Sequence, residues 1–285
     1  MIIWIASYPK SGNTWVRALL SYYFFSKQDD FKFDILRHIP NFNIGDFVNK
    51  NTKFSSNLEY ADKALEIQKF ICQKFKINTF FKTHCSLNKI RNNFFTNKST
   101  SLGCVYIVRD PRNVITSYKN FEGWTYKQTL KFMTDETSFL YSNKITQKKL
   151  NIKGMEIINS WSQNYNSWVK NKMGIPICLV KYEDLLNNTL EEFIKIFNFI
   201  AEINKENNIK IDLNRAKNTV KVTNFENLKN LELKRGFIEK EEKSRKNNFF
   251  HKGKLNIWEE IVPKEIIYSL ENNFKKEMIE LNYLK

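Results

Sequence analysis

The sequence predicts an α/β fold, with a P-loop-like parallel β-sheet flanked by helices on both faces, as a single domain over residues 1–285. Short apolar runs alternate with longer segments of helical periodicity, an order typical of parallel sheets. Gly and Pro are scarce and 42% of the residues are hydrophobic, which excludes a disordered or fibrous protein. The most unusual polar residues follow the predicted strands, where open parallel sheets bind their ligands.

Short apolar runs bounded by polar residues predict the strands, which are 2–6, 79–82, 105–108 and 175–180. Apolar residues at helical spacing predict the helices, which are 14–25, 58–75, 111–118, 190–199 and 263–278. In the first helix, Trp15, Leu19, Tyr22 and Tyr23 are expected to share one side. Pro111 stands early in its helix, where its missing N–H costs nothing.

The formal charge of the chain is +16, which favours an anionic partner such as a nucleic acid, a membrane surface or a small polyanion. Lys greatly outnumbers Arg, and Asn and Ile are also abundant. The base composition of an AT-rich genome therefore explains much of the excess charge equally well. The basic residues are spread along the chain, so the charge alone leaves both explanations open.

The cysteines form no C-x-x-C pair and no metal-binding pattern; they are Cys72, Cys85, Cys104 and Cys178. We therefore expect reduced thiols, no metal ion and a cytoplasmic location. No run approaches the roughly 20 apolar residues that a membrane-spanning helix needs. Residues 1–6 are apolar but have no basic leader, so we expect a buried first strand rather than a signal peptide.

The first predicted strand leads into the segment Ser7-Tyr8-Pro9-Lys10-Ser11-Gly12-Asn13-Thr14-Trp15. Gly12 allows a ligand to approach the backbone closely, and Ser11 and Thr14 supply hydroxyl groups. The helix that follows presents free N–H groups and the positive end of its dipole, and Lys10 adds a full charge. This turn is therefore predicted to bind a phosphate-like anion. It lacks the Walker pattern, because Lys10 precedes Gly12.

Polar residues also follow the other predicted strands. Lys82 and His84 come at the end of the second strand. Arg109 ends the third strand, and Ser117 lies about two turns into the next helix. The two side chains can hold one phosphate between them, Arg109 through paired charge-assisted hydrogen bonds. Tyr182 follows the fourth strand, within Lys181-Tyr182-Glu183-Asp184.

These segments, in this order, resemble the motifs of the cytosolic sulfotransferases that use 3′-phosphoadenosine 5′-phosphosulfate, PAPS. Y-P-K-S-G-N-T-W is similar to the family's 5′-phosphosulfate loop, and R-D-P-R-N-V-I-T-S-Y to its 3′-phosphate motif. For the phosphosulfate, the resemblance implies binding by Lys10, Ser11, Gly12, Asn13 and Thr14. It further implies that Arg109 and Ser117 hold the 3′-phosphate, and that Trp15 and Tyr182 lie near the adenine.

Two later segments extend the resemblance over nearly the whole chain. T-N-F-E-N-L resembles the family stretch T-S-F-x-x-M near the adenine, which implies roles for Thr223 and Phe225. F-F-H-K-G-K-L-N-I-W resembles F-x-R-K-G-x-x-G-x-W, a segment that closes on the 3′-phosphate, which implies roles for His251, Lys252 and Gly253. The chain departs from this pattern with His in place of Arg, and with Asn in place of the second Gly.

The resemblance implies that a sulfuryl group passes from PAPS to a hydroxyl or amine by in-line displacement, without a metal ion. His84 is implied as the base, Lys10 as the charge that stabilises the leaving oxygen, and Lys82 as a contact to the transferring group. In the family, the equivalent of Ser117 also restrains the equivalent of Lys10. The product nucleotide is implied to be adenosine 3′,5′-bisphosphate, PAP.

The opening segment is similar to that of bacterial members that sulfate glycopeptides. This likeness does not identify the acceptor. The acceptor is expected to be a small molecule, a glycan or a glycopeptide, and no nucleic acid is expected as a partner. Residues 30–57 and 121–142 are expected to form its pocket, with aromatic candidates at Phe121, Trp124, Tyr126, Phe132 and Phe139.

Two other classes of protein match part of the pattern. A P-loop-type small-molecule kinase needs the Walker lysine and a carboxylate for Mg²⁺, neither of which the sequence offers clearly. A non-enzymatic polyanion-binding protein matches the charge, but it leaves His84 and the ordered motifs unexplained. A kinase prefers ATP with Mg²⁺, and a polyanion binder shows steep salt dependence with little nucleotide specificity, so these measurements separate the three classes.

Overall fold

The computed structural model describes residues 1–49, 51–141, 154–205, 209–237, 239, 249–250 and 257–285. Its strands are β1 (Ile2–Ser7), β2 (Thr79–Thr83), β3 (Lys89–Ile90), β4 (Asn93–Phe94), β5 (Ser101–Val108), β6 (Phe139–Tyr141), β7 (Met155–Ile157) and β8 (Ile177–Lys181). Four of them form a parallel sheet in the order β2-β1-β5-β8, and the pairs β3-β4 and β6-β7 are antiparallel. The predicted parallel α/β sheet is confirmed.

The first five helices are α1 (Asn13–Phe25), α2 (Asn57–Asp62), α3 (Ala64–Lys74), α4 (Pro111–Glu122) and α5 (Tyr126–Thr134). The later helices span Trp161–Val169, Tyr182–Asn187, Thr189–Ile203, Leu213–Val222, Phe225–Arg235, Trp258–Ile261, Lys264–Asn273 and Lys275–Glu280. Short 3₁₀ helices span Phe33–His38 and Ile44–Asp46. The segments 58–75 and 263–278, each predicted as one helix, are each divided into two.

The side chains of β1 alternate between two apolar cores, because successive residues of a strand point to opposite faces of the sheet. Ile2, Trp4 and Ala6 lie in one core, together with apolar residues of α2, α3 and the C-terminal helices. Ile3 and Ile5 lie in the other core, with α1 and the helix Thr189–Ile203. Both faces of the sheet are therefore covered, which explains why this strand reads as a continuous apolar run.

Helix α1 is buried around its whole circumference from Asn13 to Tyr23. The four residues expected to share one side lie together in one apolar core. The rest of the helix is also buried, because it packs between the sheet and the segment around Phe33–His38. Even Arg17 is buried, and its guanidinium is fully engaged. Its Nε donates to the carbonyl oxygen of Ile39 at 2.9 Å, and its Nη atoms donate to the carboxylate of Glu239 at 2.7 and 2.8 Å.

The order of the strands positions the site. The chain passes from β1 to β2 on one side and returns to β5 on the other, so the order reverses at β1. Ligands of open parallel sheets bind beyond the carboxyl ends of the strands at such a point. Ala6 pairs with Thr83 of β2, and Ser7 pairs with Ile107 of β5. The segments that follow these three strands consequently meet.

The described helices include none that is both long and apolar enough to cross a membrane.

Candidate active site

The turn between β1 and α1 has two residues with positive φ, Lys10 at 67° and Gly12 at 104°. Gly12 caps the helix, and its carbonyl oxygen accepts the backbone N–H groups of Trp15 and Val16. A Cβ atom at Gly12 would lie 2.6 Å from Cδ2 of Tyr182. The position therefore requires glycine both for its backbone conformation and for the close packing against the residue that follows β8.

The hydroxyl of Ser11 in this turn and Nε of Arg109 beside it are among the buried hydrogen-bond donors that have no partner in the described residues. A buried polar group without a partner costs about 1–3 kcal/mol, so such atoms mark a place for a polar ligand. The first N–H groups of α1 and the positive end of its dipole lie at the same turn. Their donor chemistry fits a phosphate-like anion.

Arg109 follows β5 directly and is held against both neighbouring segments. Its Nη1 donates to the carbonyl oxygen of Lys10 at 3.3 Å, and its guanidinium carbon lies 4.1 Å from the centre of the Tyr182 ring. Stacking fixes the plane of the guanidinium, which suits paired hydrogen bonds to a phosphate. Ser117, predicted to share that phosphate, lies half-buried on α4.

The ammonium group of Lys10 lies between two aromatic rings, with its nitrogen 4.0 Å from the centre of Phe121 and 3.9 Å from that of Phe249. Burial is the main cause that lowers the pKa of Lys10 to about 7, and the charges of Arg109 and Lys82 add to it. Lys10 is therefore close to its titration point at neutral pH. Phe121, expected in the acceptor pocket, lies against this lysine.

His84 has a defined tautomer. Its Nδ1 lies 2.8 Å from the carbonyl oxygen of Ser7. Because a carbonyl oxygen only accepts, Nδ1 carries the hydrogen, and Nε2 of the neutral ring keeps its lone pair. Burial, followed by the charge of Lys82, holds the pKa of His84 well below its ordinary value of 6.5. The ring is therefore neutral at neutral pH, with a free basic nitrogen.

Lys82 lies in β2, two residues before His84. Burial lowers its pKa, and the nearby Arg17 contributes in the same direction, whereas Glu239 and Glu156 oppose it. Its backbone N–H donates to Pro40 and its carbonyl oxygen accepts from Phe42, both at 2.8 Å. The segment 40–42 therefore runs beside β2, which brings part of the stretch 30–57 next to the predicted base.

The residues predicted near the adenine converge on one side of the turn. Nε1 of Trp15 donates to the backbone carbonyl oxygen of Thr223 at 2.9 Å, and its ring packs edge-on against Tyr182 at 5.8 Å. The hydroxyl of Thr223 is already used, since it donates to the carbonyl oxygen of Thr219. Phe225 lies 5.9 Å from the ring of Phe250. Trp15, Tyr182 and Thr223 therefore lie together beside the turn.

The predicted residues His251, Lys252 and Gly253 lie outside the described residues. The two residues that precede them are held by a side chain that no motif indicated. The buried carboxylate of Glu232 accepts the backbone N–H groups of Phe249 and Phe250 at 2.7 and 2.9 Å. Glu232 therefore fixes the Phe249 ring that packs on Lys10. Only the contact between these distant segments in the folded chain identifies Glu232.

Asp110 and Arg112 were not predicted as site residues, but they fix the start of α4. The Asp110 side chain caps the helix and pairs with Arg112 at 2.7 Å. Arg112 also pairs with Glu271 at 2.7 Å, and its guanidinium lies 4.0 Å from the centre of the Trp258 ring. This network ties the strand end that carries Arg109 to the C-terminal helices.

The fold and the turn define an α/β protein whose sheet edge can hold a phosphate-like anion next to a neutral histidine. The model of the sulfotransferase domain matches residues 2–282, and the chain belongs to this family. It is thus an enzyme of the sulfotransferase class, which confirms the predicted resemblance.

The relatives are distant but extend over almost the entire chain. Cytosolic sulfotransferase 16 of Arabidopsis thaliana is 24% identical, over 99% of this chain and 77% of that protein. The amine sulfotransferase of Oryctolagus cuniculus is 21% identical, over 97% and 80%. Two solved structures share the fold at 17% and 16% identity, each over 97% of this chain. The first is retinol dehydratase in complex with androsterone and inactive cofactor PAP, with a TM-score of 0.61 over 80% of that chain. The second is a mouse sulfotransferase complexed with PAP, with a TM-score of 0.58 over 84% of that chain.

Proposed function

We propose that this enzyme transfers a sulfuryl group from PAPS to a hydroxyl or amine of a small-molecule acceptor, with His84 as the base. The observation that carries the proposal is the hydrogen bond from Nδ1 of His84 to the carbonyl oxygen of Ser7 at 2.8 Å. This hydrogen bond leaves the lone pair of the neutral ring on Nε2, and the lowered pKa keeps that nitrogen unprotonated. Both properties are those of a general base.

The donor chemistry of the turn fits PAPS, because Ser11 and Arg109 offer buried N–H and O–H groups and α1 offers its N-terminus. Residues proposed to hold the 5′-phosphosulfate are Lys10, Ser11, Gly12, Asn13 and Thr14. Residues proposed to hold the 3′-phosphate are Arg109 and Ser117, and by resemblance also His251, Lys252 and Gly253. Residues proposed to surround the adenine are Trp15, Tyr182, Thr223 and Phe225.

PAPS supplies the sulfuryl group, whose bond to the 5′-phosphate oxygen breaks as the acceptor oxygen or nitrogen bonds to sulfur, leaving PAP. His84 takes the acceptor proton on Nε2 and passes it to solvent afterwards. Lys10, when protonated, stabilises the charge that develops on the leaving phosphate oxygen. Lys82 stabilises the sulfonate oxygens, so positioning and charge provide most of the catalysis.

The comparisons support a nucleotide donor and a small acceptor. Two solved relatives hold PAP, and the curated relatives include an amine sulfotransferase and a flavonol 3-sulfotransferase. The glycan or glycopeptide acceptors suggested by the opening segment have no counterpart among these names. We also propose a cytoplasmic location, which agrees with the relatives named cytosolic and with the four free cysteines.

Calorimetric titration with PAP and with adenosine 5′-monophosphate tests the donor site. We expect PAP to bind at least about tenfold more tightly, because the second phosphate adds charge-assisted hydrogen bonds to Arg109. Equal affinities would refute the proposed donor site. Release of PAP from PAPS in the presence of a panel of phenols and amines tests the transfer itself.

A further inference from the structure

His84 lies just beyond β2, which is an edge strand of the four-stranded sheet. The segment 84–87 has therefore left the sheet, and its backbone groups need other hydrogen-bond partners to have a fixed position. The ring of His84 is held from one side, because its Nδ1 donates to the carbonyl oxygen of Ser7. The backbone of His84 is held from another side, by the helix Trp161–Val169, which no motif indicated.

Asn164 is the residue of this helix that contacts the base. Its side chain is fully buried, and its Nδ2 donates to the carbonyl oxygens of His84 at 3.0 Å and Ile158 at 2.9 Å. Both partners can only accept, so the nitrogen of the amide must face them and Oδ1 is left for a donor. The hydroxyl of Tyr106 donates to this Oδ1 at 2.7 Å. The amide is consequently held in one orientation.

Tyr106 connects this contact to the centre of the sheet. It lies buried in β5, where it pairs with Ala6 of β1. Hydrogen bonds thus run from β5 through Asn164 to the backbone of His84, while β1 holds the ring of His84 through Ser7. The two central strands of the sheet therefore determine together where the base lies.

The same face of the helix also holds the residues that follow the base. Trp168, four residues after Asn164, donates its Nε1 hydrogen to the carbonyl oxygen of Cys85 at 2.9 Å. Oγ of Ser167 accepts the backbone N–H of Leu87 at 2.8 Å. Residues three and four positions apart are neighbours on a helix surface. One row of side chains therefore fixes the path of the segment 84–87.

We propose that Asn164 is a positioning residue for the base: it fixes the backbone of His84, so that Nδ1 stays bonded to Ser7 and Nε2 stays available to the acceptor. The inference rests on the proposed function, because that function gives Nε2 a proton to take. Without the amide, the carbonyl oxygen of His84 loses this hydrogen bond and the segment shifts. A displacement of about 1 Å can cost on the order of 10²-fold in rate.

The tautomer of His84 tests the inference without any acceptor. The chain has three histidines, so ¹⁵N labelling of histidine and comparison with His84→Ala identify its ring signals in NMR spectra. We expect hydrogen on Nδ1 in the wild type. Asn164→Ala should show a measurable share of the tautomer with hydrogen on Nε2, because the ring no longer keeps its contact with Ser7. Tyr106→Phe removes only the hydroxyl group and should cause the same change to a smaller extent.

Asn166→Ala is the matched control. It removes another asparagine of the same helix, whose Nδ2 donates to Oε1 of Glu277 at 2.6 Å. This side chain is bonded to a C-terminal helix rather than to the segment 84–87. Asn166→Ala should therefore lower the free energy of unfolding but leave the tautomer of His84 unchanged.

A double-mutant cycle tests the consequence for catalysis, using PAPS and the phenol of the panel that the wild type sulfates fastest. Asn164→Ala should lower the turnover number about tenfold or more and leave PAP affinity almost unchanged. In the His84→Ala background, the same substitution should cause no further loss, because no base remains to be positioned.

Two results would overturn the inference. The first is the wild-type tautomer in Asn164→Ala, or in Tyr106→Phe where Asn164→Ala does not fold. The second is an equal loss of turnover from Asn164→Ala with and without His84, as a purely structural role predicts. Failure of the proposed function appears separately, as a wild type that does not release PAP from PAPS or as unchanged turnover in His84→Ala.

Discussion

The ammonium nitrogen of Lys10 lies 3.9 Å from the centre of the Phe249 ring. The aromatic face stabilises the cation, but burial and the charge of Arg109 oppose it and bring the pKa of Lys10 to about 7. An anion bound at the turn would favour the charged form. The protonation of Lys10 is therefore coupled to the binding of the nucleotide.

The first prediction concerns the pH dependence of PAP affinity. Free Lys10 loses its proton as the pH rises through about 7, whereas bound PAP raises this pKa, so binding takes up a proton above pH 7. PAP affinity should therefore fall between pH 7 and 9 in calorimetric titrations. Lys10→Arg stays charged and should show a flatter profile. Parallel profiles for the wild type and Lys10→Arg would exclude this coupling.

The second prediction concerns the base. His84→Ala should lower the turnover number by ~10²–10⁴-fold, the usual contribution of a positioned base, and leave PAP affinity almost unchanged. His38→Ala removes an exposed histidine that stacks on Phe25 and should keep most of the turnover. Because burial lowers the pKa of His84, the acid limb of the kcat/KM profile should lie below pH 6.5. Near wild-type turnover in His84→Ala would assign this histidine a structural role.

The third prediction separates the two phosphates of PAP. Arg109→Ala should weaken PAP binding by at least about tenfold but affect adenosine 5′-monophosphate much less, because only PAP has the 3′-phosphate. Arg37→Ala removes an exposed arginine and should change neither affinity. An equal loss for both nucleotides would mean that Arg109 holds the turn or Tyr182 rather than the 3′-phosphate.

The fourth prediction concerns Gly12. Gly12→Ala combines a positive φ with a contact of 2.6 Å to Tyr182, so it should lower the free energy of unfolding by roughly 2 kcal/mol or more. Gly123→Ala has a similar positive φ of 72° but meets nothing within 4 Å. Chemical denaturation should show a smaller loss for this control. Equal losses would mean that backbone strain alone lowers the stability, and that the Tyr182 side chain moves aside at little cost.

The elements that the sequence predicted best are those whose pattern is local. The strand 2–6 and the helix 14–25 differ from the observed β1 and α1 by one residue at an end, because a short apolar run next to a polar turn defines both. The elements that were not predicted include the strands β3, β4, β6 and β7 and the helices Trp161–Val169, Leu213–Val222 and Phe225–Arg235. The strands are too short to show a periodic pattern, and packing against the rest of the chain stabilises them.

Most of the candidate site was also predictable, for a physical reason. His84, Arg109 and Tyr182 each stand directly after a strand, Lys10 lies in the turn that follows β1, and parallel strands end at one edge of a sheet. The meeting of these residues therefore follows from the strand pattern alone. The contacts that residues of distant segments make with them do not follow from this pattern. One example is Phe249, whose ring packs on the ammonium group of Lys10.

The sequence by itself determined the family, the parallel arrangement of the strands and the residue types at their carboxyl ends. Each of these depends on residues close together in the chain. Only the tertiary structure decided the tautomer of His84, the pKa of Lys10 near 7 and the contact of Phe249 with Lys10. A pKa depends on desolvation and on charges brought close in space. Desolvation arises when distant segments pack together, and no local pattern of residues encodes that contact.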